Sequence, residues 1–372
     1  MRALVVVKIG GSNLSNIDSY VRAAGYVRQL YEAGLLPIVV VSAAKGVTDK
    51  LLEALQGDRN AFHEVVELYS ELARGIGGEK LELEVRGLAE VPLKAMKAGL
   101  ERPVLGDIVL SYGEKASKLV LSSAIETEVG RVVRVDAEEV IKTDSRHGDA
   151  SIIYENTEPR VEWLVKTASE NNVVIVIEGF IGSDEKGVTT TLGRGGSDLT
   201  ATAIAALSGV GEVRLITNVK GVYSVDPDLG VKPRVVKCLS YREADEAARH
   251  GVKRFNAKTF EPLLFFPGPV VRIGDYEHLG SSVMRELGEG DKGPKIVHAS
   301  LSPHPRVVVI GEDGSRLRTI RRVVEVLESE DVEIQGLEAG VGRQSVVVYM
   351  PKDYIPRAVR LLHKHLIGEA GS

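Results

Sequence analysis

Residues 190–198 read TTLGRGGSD and lead directly into the apolar sequence LTATAIAAL. Three glycines surround Arg194, and a serine and an aspartate suited to helix capping precede the apolar run. Glycine lets backbone N–H groups turn toward a ligand, and a helix start adds unpaired donors and the positive end of its dipole. Arginine adds a planar fork that suits a carboxylate or a phosphate. The stretch predicts an anion site, although a plain capped helix with Asp198 offsetting the dipole fits the same residues.

Composition limits the class of protein. The chain has 372 residues, which suggests two or three domains, and its 44% hydrophobic and 27% charged residues are typical of a soluble globular protein. A formal net charge of -5 gives no reason to expect a nucleic-acid partner. The single cysteine, Cys238, excludes an internal disulfide and a cysteine-based zinc cluster. No apolar run has transmembrane length, so we expect a cytoplasmic protein without a membrane partner.

Apolar runs alternate with helical patterns along most of the chain. The predicted strands are 3–9, 36–41, 131–135, 173–177, 212–216 and 269–273, of which 3–9, 36–41 and 173–177 are predicted to be buried. This alternation predicts an α/β fold with a doubly wound, mostly parallel sheet. Ligands of such sheets lie beyond the carboxyl ends of the strands, which is where Lys8, Ser42, Gly179 and Thr217 fall.

A change of pattern follows residue 287. Residues 288–304 are rich in Gly, Pro and Ser and are predicted to be a linker. Beyond it, residues 305–368 show the order strand, helix, strand, strand, helix. We therefore predict a catalytic domain at 1–287, the linker, and a smaller α+β domain at 305–368.

Lys8 interrupts an otherwise apolar strand and is followed by the glycine turn Gly10-Gly11. A buried lysine is expensive unless its charge has a partner, and a phosphate is the natural one. The alternative is a strand-end lysine whose ammonium reaches solvent. No Walker A pattern and no His-Arg-Asp loop occurs in the chain, which disfavours P-loop and protein kinases.

Five sequence blocks together resemble the aspartate kinases of the amino-acid kinase family. In chain order they are Lys8-Ile-Gly-Gly-Ser, Val40-Val-Ser-Ala with Gly46-Val-Thr-Asp, Ser111-Tyr-Gly-Glu, residues 190–198, and Thr217-Asn-Val-Lys-Gly-Val-Tyr-Ser-Val-Asp-Pro. The resemblance covers residues 1 to about 285, and the C-terminal segment resembles an ACT domain, an amino-acid-sensing module. The resemblance implies ATP-dependent phosphorylation of the side-chain carboxylate of L-aspartate, with Mg²⁺ accompanying ATP.

The resemblance also implies roles for individual residues. Lys8, with the N–H groups of Gly10 and Gly11, would neutralise the transferring phosphoryl group, and Asp198 would orient Lys8 or help hold Mg²⁺. Arg194 would bind the α-carboxylate of aspartate and Glu114 its α-amino group. Shorter polar substrate contacts would come from Ser42, Thr48 and Ser197, and the ATP site would add Ser12, Thr217, Asn218, Tyr223, Asp226 and Lys253.

Each role has a plain alternative. Asp198 fits a helix cap, Arg194 a surface arginine, and Glu114 an exposed helix residue. Ser42 fits a strand-end cap and Phe180 fits a core position as well as a pocket wall. For the chain as a whole, the alternatives are a related phosphotransferase with another acceptor and a non-catalytic amino-acid-binding regulator.

Two departures from the family pattern concern the nucleotide. Asn218 stands where relatives usually carry Asp, and Asp228 where they usually carry Arg after Asp-Pro. Asp228 reverses a charge near the phosphates, and Lys232 or Arg234 are candidates to stand in for the missing arginine.

The C-terminal segment has room for one ACT unit where two are common, so we expect a homodimer or larger oligomer that covers a sheet edge. If the segment has an effector, it would be an amino acid bound near 311–314 or 335–336, and the alternative is a segment that only dimerises.

Overall fold

The computed structural model describes residues 2–253, 255–312 and 314–368. The chain divides into two compact units. The first comprises residues up to Asn218 together with Phe266–Pro269, and the second comprises Val219–Phe265 and the chain from Val270 onward. Within the described ranges, no helix is long and apolar enough to cross a membrane.

The first unit is built on five parallel strands. Its elements are β1 (Ala3–Ile9), α1 (Ile17–Glu32), β2 (Leu35–Val41), α2 (Val47–Leu55), α3 (Arg59–Leu88), α4 (Glu90–Ala95), α5 (Arg102–Val129), β3 (Val132–Val135), α6 (Ala137–Val140), α7 (Tyr154–Asn171), β4 (Val174–Glu178), β5 (Ile181–Ser183), β6 (Thr189–Thr191), α8 (Gly196–Ser208) and β7 (Glu212–Ile216). The parallel strands lie in the order β3-β4-β2-β1-β7, and β5 pairs with β6 in a separate hairpin. The predicted α/β class with a mostly parallel sheet is confirmed.

The central strands are apolar because both faces of the sheet are covered. Strand β2 is buried from Leu36 to Val41, and β4 is buried along its whole length. The sheet brings the strand ends together at one edge, as predicted for parallel strands. Beyond those ends, Ser42 N donates to Ile9 O (3.2 Å), Gly179 N to Val41 O (2.8 Å), and Gly10 N to Ile216 O (3.4 Å).

The second unit holds the remaining elements. They are β8 (Cys238–Ser240), α9 (Tyr241–Arg249), α10 (Glu261–Phe265), β9 (Val270–Gly274), β10 (Ser281–Met284), β11 (Pro294–Ser300), β12 (Arg306–Gly311), α11 (Leu317–Glu328), β13 (Gly336–Glu338), β14 (Ser345–Tyr349) and α12 (Ile355–Leu362). Strand β10 pairs with β9 and β8. An antiparallel sheet in the order β11-β12-β14-β13 forms the C-terminal part of this unit.

The predicted linker is wrong in its secondary structure over 294–300. These residues form β11, whose register with β12 runs from Pro294↔Gly311 to Ser300↔Arg306. The composition explains the error, because only Ile296 and Val297 of β11 are buried and the flanking Gly, Pro and Ser residues are typical of a linker.

The core of the C-terminal sheet includes a residue from far earlier in the chain. Val225 is 1% exposed and belongs to the same apolar cluster as Val307, Val346 and Val359. Ser224 supports this packing, since its backbone accepts from Val297 N (2.8 Å) and its hydroxyl lies 2.8 Å from Nε2 of His363. The segment predicted to contact nucleotide is therefore packed into the C-terminal sheet of its own unit.

The middle of the first unit follows the sequence pattern. Amphipathic spacing predicts separate helices at about 61–74 and 80–100, and α3 is interrupted between them at Gly78 (φ 73°), with the short α4 following. Glycine accommodates the positive φ that breaks the helix there. In the second unit, the strand predicted at 332–337 is displaced to β13, Gly336–Glu338.

Candidate active site

Lys8 and Asp198 form the centre of the predicted site in the first unit. Nζ of Lys8 lies 2.7 Å from Oδ1 of Asp198, and the two side chains are 15% and 19% exposed. Strand β1 ends at Ile9, and helix α8 carries Asp198 in its first turn. The lysine that interrupts an apolar strand thus has a carboxylate partner inside the protein and still reaches the open edge of the sheet.

The glycine turn after β1 lets the backbone approach this pair. A Cβ added to Gly10 would lie 3.1 Å from Nζ of Lys8, and one added to Gly11 would lie 2.4 Å from the carbonyl oxygen of Ala43. The second distance is shorter than any real Cβ contact, so the loop after β2 passes directly over Gly11. A side chain at Gly11 would have to displace backbone.

We therefore expect Gly11→Ala to destabilise the folded protein by about 1–3 kcal/mol, the usual range for overpacking. Gly25→Ala is the matched control, because a Cβ on Gly25 inside α1 meets no atom within 4 Å. The control should keep or slightly raise the melting temperature, since alanine favours a helix interior. Thermal unfolding of the two variants measures the difference, and equal melting temperatures would contradict the close approach at Gly11.

The glycine loop before α8 adopts the conformations that its composition requires. Gly193 and Gly195 have φ of 76° and 80°, and Gly195 is the N-cap residue of α8. The prediction of a side-chain cap is wrong, because the cap position is a glycine and makes no side-chain hydrogen bond. Ser197 and Asp198 instead lie inside the first turn, which leaves Asp198 available to Lys8.

The start of α8 packs closely on the turn after β4. A Cβ on Gly179 would lie 2.6 Å from Cβ of Ser197, and one on Gly196 would lie 2.9 Å from Cδ2 of Phe180. Phe180 itself has φ of 71°, which is rare for a residue other than glycine. Its N–H donates to Oγ1 of Thr200 (3.2 Å) and its carbonyl accepts from Leu192 N (2.8 Å). Phe180 thus fixes both sides of the glycine loop.

Arg194 is exposed between the two left-handed glycines. Within the described ranges it makes no ion pair with another residue. Its guanidinium is therefore available to a carboxylate from solution. An exposed arginine without an ion pair also fits the alternative of an ordinary surface residue.

Glu114 is buried rather than an ordinary exposed helix residue. It lies in α5 with 4% exposure, and its Oε1 accepts a hydrogen bond from Ala43 N at 3.3 Å. Burial raises its pKa to about 8, the nearby Glu178 carboxylate adds to that rise, and the Ala43 hydrogen bond opposes it. Gly113 makes room for this arrangement, because a Cβ there would lie 3.0 Å from Cβ of Ala43.

Three hydroxyl groups missed in the sequence surround this glutamate. The Tyr69 hydroxyl accepts from Ala44 N and donates to Gly113 O, both at 2.8 Å. The Tyr20 hydroxyl lies 2.8 Å from Oγ of Ser117, one turn of α5 beyond Glu114. Burial raises the pKa of Tyr20 and of Tyr69, so both stay neutral donors. Tyr69 holds the Ser42–Ala44 loop against α5, and Tyr20 joins α1 to α5.

A second buried carboxylate anchors the strand that leads into the glycine loop. Asp107, in the first turns of α5, accepts hydrogen bonds from the Thr191 hydroxyl and from Gly148 N (3.0 Å). It also pairs with Nδ1 of His147 (2.8 Å). Thr191 is the last residue of β6, three residues before Arg194. Sequence reasoning missed this network, because its members lie 84 positions apart along the chain.

The remaining predicted residues of the first unit lie around the same edge. Thr48 and Ser12 are exposed, while Ser42, Ser197 and Thr217 are half-buried. Thr217 and Asn218 follow the end of β7, and their side chains lie 3.4 Å apart.

In the second unit, the predicted nucleotide residues form an ion-pair cluster. Nζ of Lys253 lies 2.8 Å from Oδ2 of Asp226 and 2.6 Å from Oδ2 of Asp228. Both carboxylates raise the pKa of Lys253. Asp226 also accepts from Asp228 N, which fixes the turn that carries both aspartates. Tyr223 lines a small cleft beside Asp226 and Lys253, together with His298.

A site for a metal ion needs several suitable ligands. Among the residues that the structure describes, no group of three or more His, Cys, Asp or Glu side chains is arranged to hold a metal ion.

The parallel sheet, the lysine at the strand edge and the glycine loop together form a site suited to an anion such as a phosphate. A model of the amino acid kinase family matches residues 3–264. The chain belongs to the amino acid kinase family.

Its relatives are aspartokinases. The chain is 27% identical to the aspartokinase of Chlamydia muridarum, over 91% of this chain and 77% of that protein. It is 31% identical to the lysine-sensitive aspartokinase 3 of Escherichia coli, over 73% of this chain but only 61% of that protein. Its fold is similar to that of E. coli aspartokinase III in complex with aspartate and ADP, with a TM-score of 0.79, 22% identity, and coverage of 98% of this chain and 100% of that chain.

Proposed function

We propose that the chain is an aspartate kinase, which transfers the γ-phosphoryl group of ATP to the side-chain carboxylate of L-aspartate and gives 4-phospho-L-aspartate and ADP. The observation that carries the proposal is the Lys8–Asp198 pair at the edge where β1, β2, β4 and β7 end. The names of the relatives support the choice of acceptor.

The chemistry suits a site without a general base. The attacking aspartate carboxylate has a reference pKa of about 4 and is ionised at neutral pH. The protein must then position two anions and offset the charge that develops on the transferring phosphoryl group. We assign that task to the Lys8 ammonium, held in place by Asp198, with the Gly10 and Gly11 backbone beside it.

The two ends of aspartate need opposite partners. Arg194 offers an unpaired fork for the α-carboxylate, and Glu114 offers a carboxylate for the α-ammonium group. Glu114 is buried without a described cation, so a bound ammonium group would supply the charge partner that the empty site lacks. Ser42, Thr48 and Ser197 are proposed to add hydrogen bonds.

ATP is assigned to Gly10, Gly11, Ser12, Thr217 and Asn218 in the first unit. Tyr223, Asp226 and Lys253 of the second unit keep the role that the family resemblance implies. Mg²⁺ bound with ATP would offset the phosphate charge. Protein sites for Mg²⁺ commonly supply one or two carboxylates while the phosphates and water supply the rest, so Asp198 alone fits the role. Its partial exposure leaves its second oxygen free to take part.

Asp228 is expected to weaken ATP binding, because it competes with the phosphates for Lys253. The variant Asp228→Asn should lower KM for ATP roughly two- to fivefold, the range expected for an exposed ion pair, and leave kcat unchanged. Its side chain is 81% exposed, so the fold should tolerate the change. Steady-state kinetics against ATP, with the exposed Asp291→Asn as control, measures the effect. A KM that stays or rises would mean that Lys253 is not a phosphate ligand.

The reaction itself is tested by ADP release from purified protein with Mg-ATP and L-aspartate, L-glutamate, N-acetylglutamate or UMP. Hydroxylamine is included because it traps an acyl phosphate as a hydroxamate. ADP and hydroxamate formed only with aspartate would support the proposal. Turnover with another acceptor would move the substrate assignment within the family, and absence of turnover with every acceptor would favour the non-catalytic regulator.

We further propose that residues 1–287 form the catalytic domain, that the C-terminal sheet from β11 onward belongs to an ACT-like domain, and that the chain forms a homodimer or larger oligomer. The supporting features are the four-stranded antiparallel sheet with α11 and α12. The short β13 at its edge has two exposed residues, Leu337 and Glu338, and pairing with a second copy would cover that edge. Sedimentation velocity of the purified chain measures the oligomer.

A further inference from the structure

Three segments of the first unit meet at the buried carboxylate of Asp107. The residue is 0% exposed and lies in α5. Its Oδ1 accepts from the Thr191 hydroxyl and from Gly148 N (3.0 Å), and its Oδ2 lies 3.2 Å from the same N–H and 2.8 Å from Nδ1 of His147. Both oxygens have partners, which is what a carboxylate needs when it is removed from water.

These partners join Asp107 to the glycine loop through two segments. Thr191 ends β6, three residues before Arg194, and its carbonyl accepts from Ala150 N at 2.9 Å. A Cβ on Gly193 would overlap Oδ1 of Asp149, so residues 148–150 run close along the start of the loop. Asp107 therefore holds both the strand that enters the glycine loop and the segment that packs against it.

The glycine loop offers little resistance of its own to movement. Gly193 and Gly195 flank Arg194 with positive φ, and glycine has more backbone freedom than any other residue. Inside the loop, Gly196 N donates to Gly193 O at 3.0 Å. The place of Arg194 thus depends on what holds the two ends of the loop, and Thr191 lies at the first of them.

Helix α5 connects this anchor to the other proposed substrate ligand. Asp107 and Glu114 are seven residues apart, so they lie on one face of the helix, about 10 Å from each other along its axis. Glu114 is fixed in turn by the hydrogen bond from Ala43 N (3.3 Å). Because a helix is stiff over two turns, Asp107 fixes the start of the glycine loop relative to Glu114.

We propose that Asp107 is a positioning residue, which holds Arg194 at the separation from Glu114 that the α-carboxylate and the α-ammonium group of one amino acid require. His147 and Thr191 hold the Asp107 carboxylate in place. Asp107 acts through Arg194 and not by contact with the substrate. The inference rests on the proposed aspartate site.

Hydrogen exchange of the substrate-free chain is the first measurement. Asp107→Asn keeps the shape of the side chain but replaces one acceptor oxygen by an NH₂ group, so at least one hydrogen bond is lost. We expect the amides of residues 192–197 to exchange roughly tenfold faster than in the parent chain. Thr191→Val removes the same link from the other side, should have the same effect, and serves if Asp107→Asn does not fold.

A purely structural carboxylate provides the matched control. Glu82 is buried in α3 and accepts hydrogen bonds from Arg74 and Arg86 of the same helix. Glu82→Gln removes a bonded carboxylate from the same unit and should lower the melting temperature. It should leave residues 192–197 at the parent rate of exchange, because its partners do not belong to the glycine loop.

Binding of L-aspartate, measured by titration calorimetry, is the second measurement. Loss of a hydrogen bond to a charged group should raise the Kd about tenfold in Asp107→Asn and in Thr191→Val. Thr191→Ser keeps the hydroxyl and should restore binding. In an Arg194→Ala background, Asp107→Asn should cause no further loss, because the arginine through which it acts is gone. In a chain that turns over, KM for aspartate should rise with Kd while kcat changes less than about threefold.

Faster exchange of residues 192–197 in Asp107→Asn but not in Glu82→Gln, with a loss of binding that disappears in the Arg194→Ala background, supports the proposal. Parent-like exchange in both Asp107→Asn and Thr191→Val, equally fast exchange in Glu82→Gln, or a tenfold loss of binding that persists without Arg194 overturns it. Aspartate binding without turnover would contradict the proposed reaction and leave the positioning role supported. If the parent chain binds no aspartate, the proposed function fails, and the exchange of residues 192–197 still decides whether Asp107 holds the loop.

Discussion

Lys8→Ala is expected to lower kcat about 10²–10³-fold, the loss typical of removing one preorganised donor from a charge-developing transition state. The ammonium is fixed by the 2.7 Å contact with Asp198 and by its place at the end of the rigid strand β1. Water that replaces the side chain must reorient as charge develops, whereas the lysine does not. KM for aspartate should change much less, because the carboxyl group being phosphorylated is not the part that anchors the substrate.

The measurement is ADP release under saturating aspartate and ATP, with melting temperature recorded in parallel. Lys166→Ala, an exposed lysine on α7, is the control and should match the parent chain. Lys8→Arg keeps the charge, but spreads it over a planar guanidinium that differs in shape from the compact ammonium paired with Asp198. We expect it to recover only part of the lost rate. An unchanged kcat in Lys8→Ala with a normal melting temperature would remove Lys8 from the mechanism.

Glu114→Gln is expected to raise KM for aspartate roughly 30-fold or more, since it removes a buried charge that would pair with the α-ammonium group. The ammonium group is remote from the reacting carboxylate, so kcat should fall far less than kcat/KM. Glu126 lies on the exposed face of the same helix, so Glu126→Gln serves as the control. Steady-state kinetics with varied aspartate measures both values, and a change confined to kcat would contradict the assignment.

The same residue predicts a pH dependence. Burial raises the pKa of Glu114 to about 8 in the empty site, so the side chain is mostly protonated at pH 6–7. Binding of an ammonium group requires the carboxylate, and therefore releases a proton below that pKa. KM for aspartate should fall about tenfold for each pH unit up to about 8 and then level off. Glu114→Gln should lose this slope, and a parent chain with a flat profile would show that Glu114 is already ionised.

The sequence predicted most strands of the first unit and the edge at which their polar end residues lie. The polar residues at strand ends predicted one edge of the sheet, and hydrogen bonds from Gly10, Ser42 and Gly179 to neighbouring strands place them there. Apolar runs report strands reliably when both faces are buried, as in β2 and β4. Strand β11 was missed because its burial is partial and its neighbours have the composition of a linker.

The roles of residues in the candidate site depended more on structure. Spacing alone left Asp198 as a cap or a partner of Lys8, and the 2.7 Å contact favours the partner. It also left Glu114 as either a substrate ligand or an exposed helix residue, and the structure shows that Glu114 is buried, which raises its pKa. The hydrogen bonds of Asp107 could not be predicted from the sequence, because its partners come from distant segments.

The sequence by itself determined the alternation of strands and helices, the glycine loop, and the order of the chemical groups along the chain. These are local properties, set by side-chain polarity at intervals of two or 3.6 residues and by the backbone freedom of glycine. The tertiary structure alone decided which charges are paired and which are buried. Pairing and burial are set by the distance between segments far apart in the chain, and that distance exists only after the chain has folded.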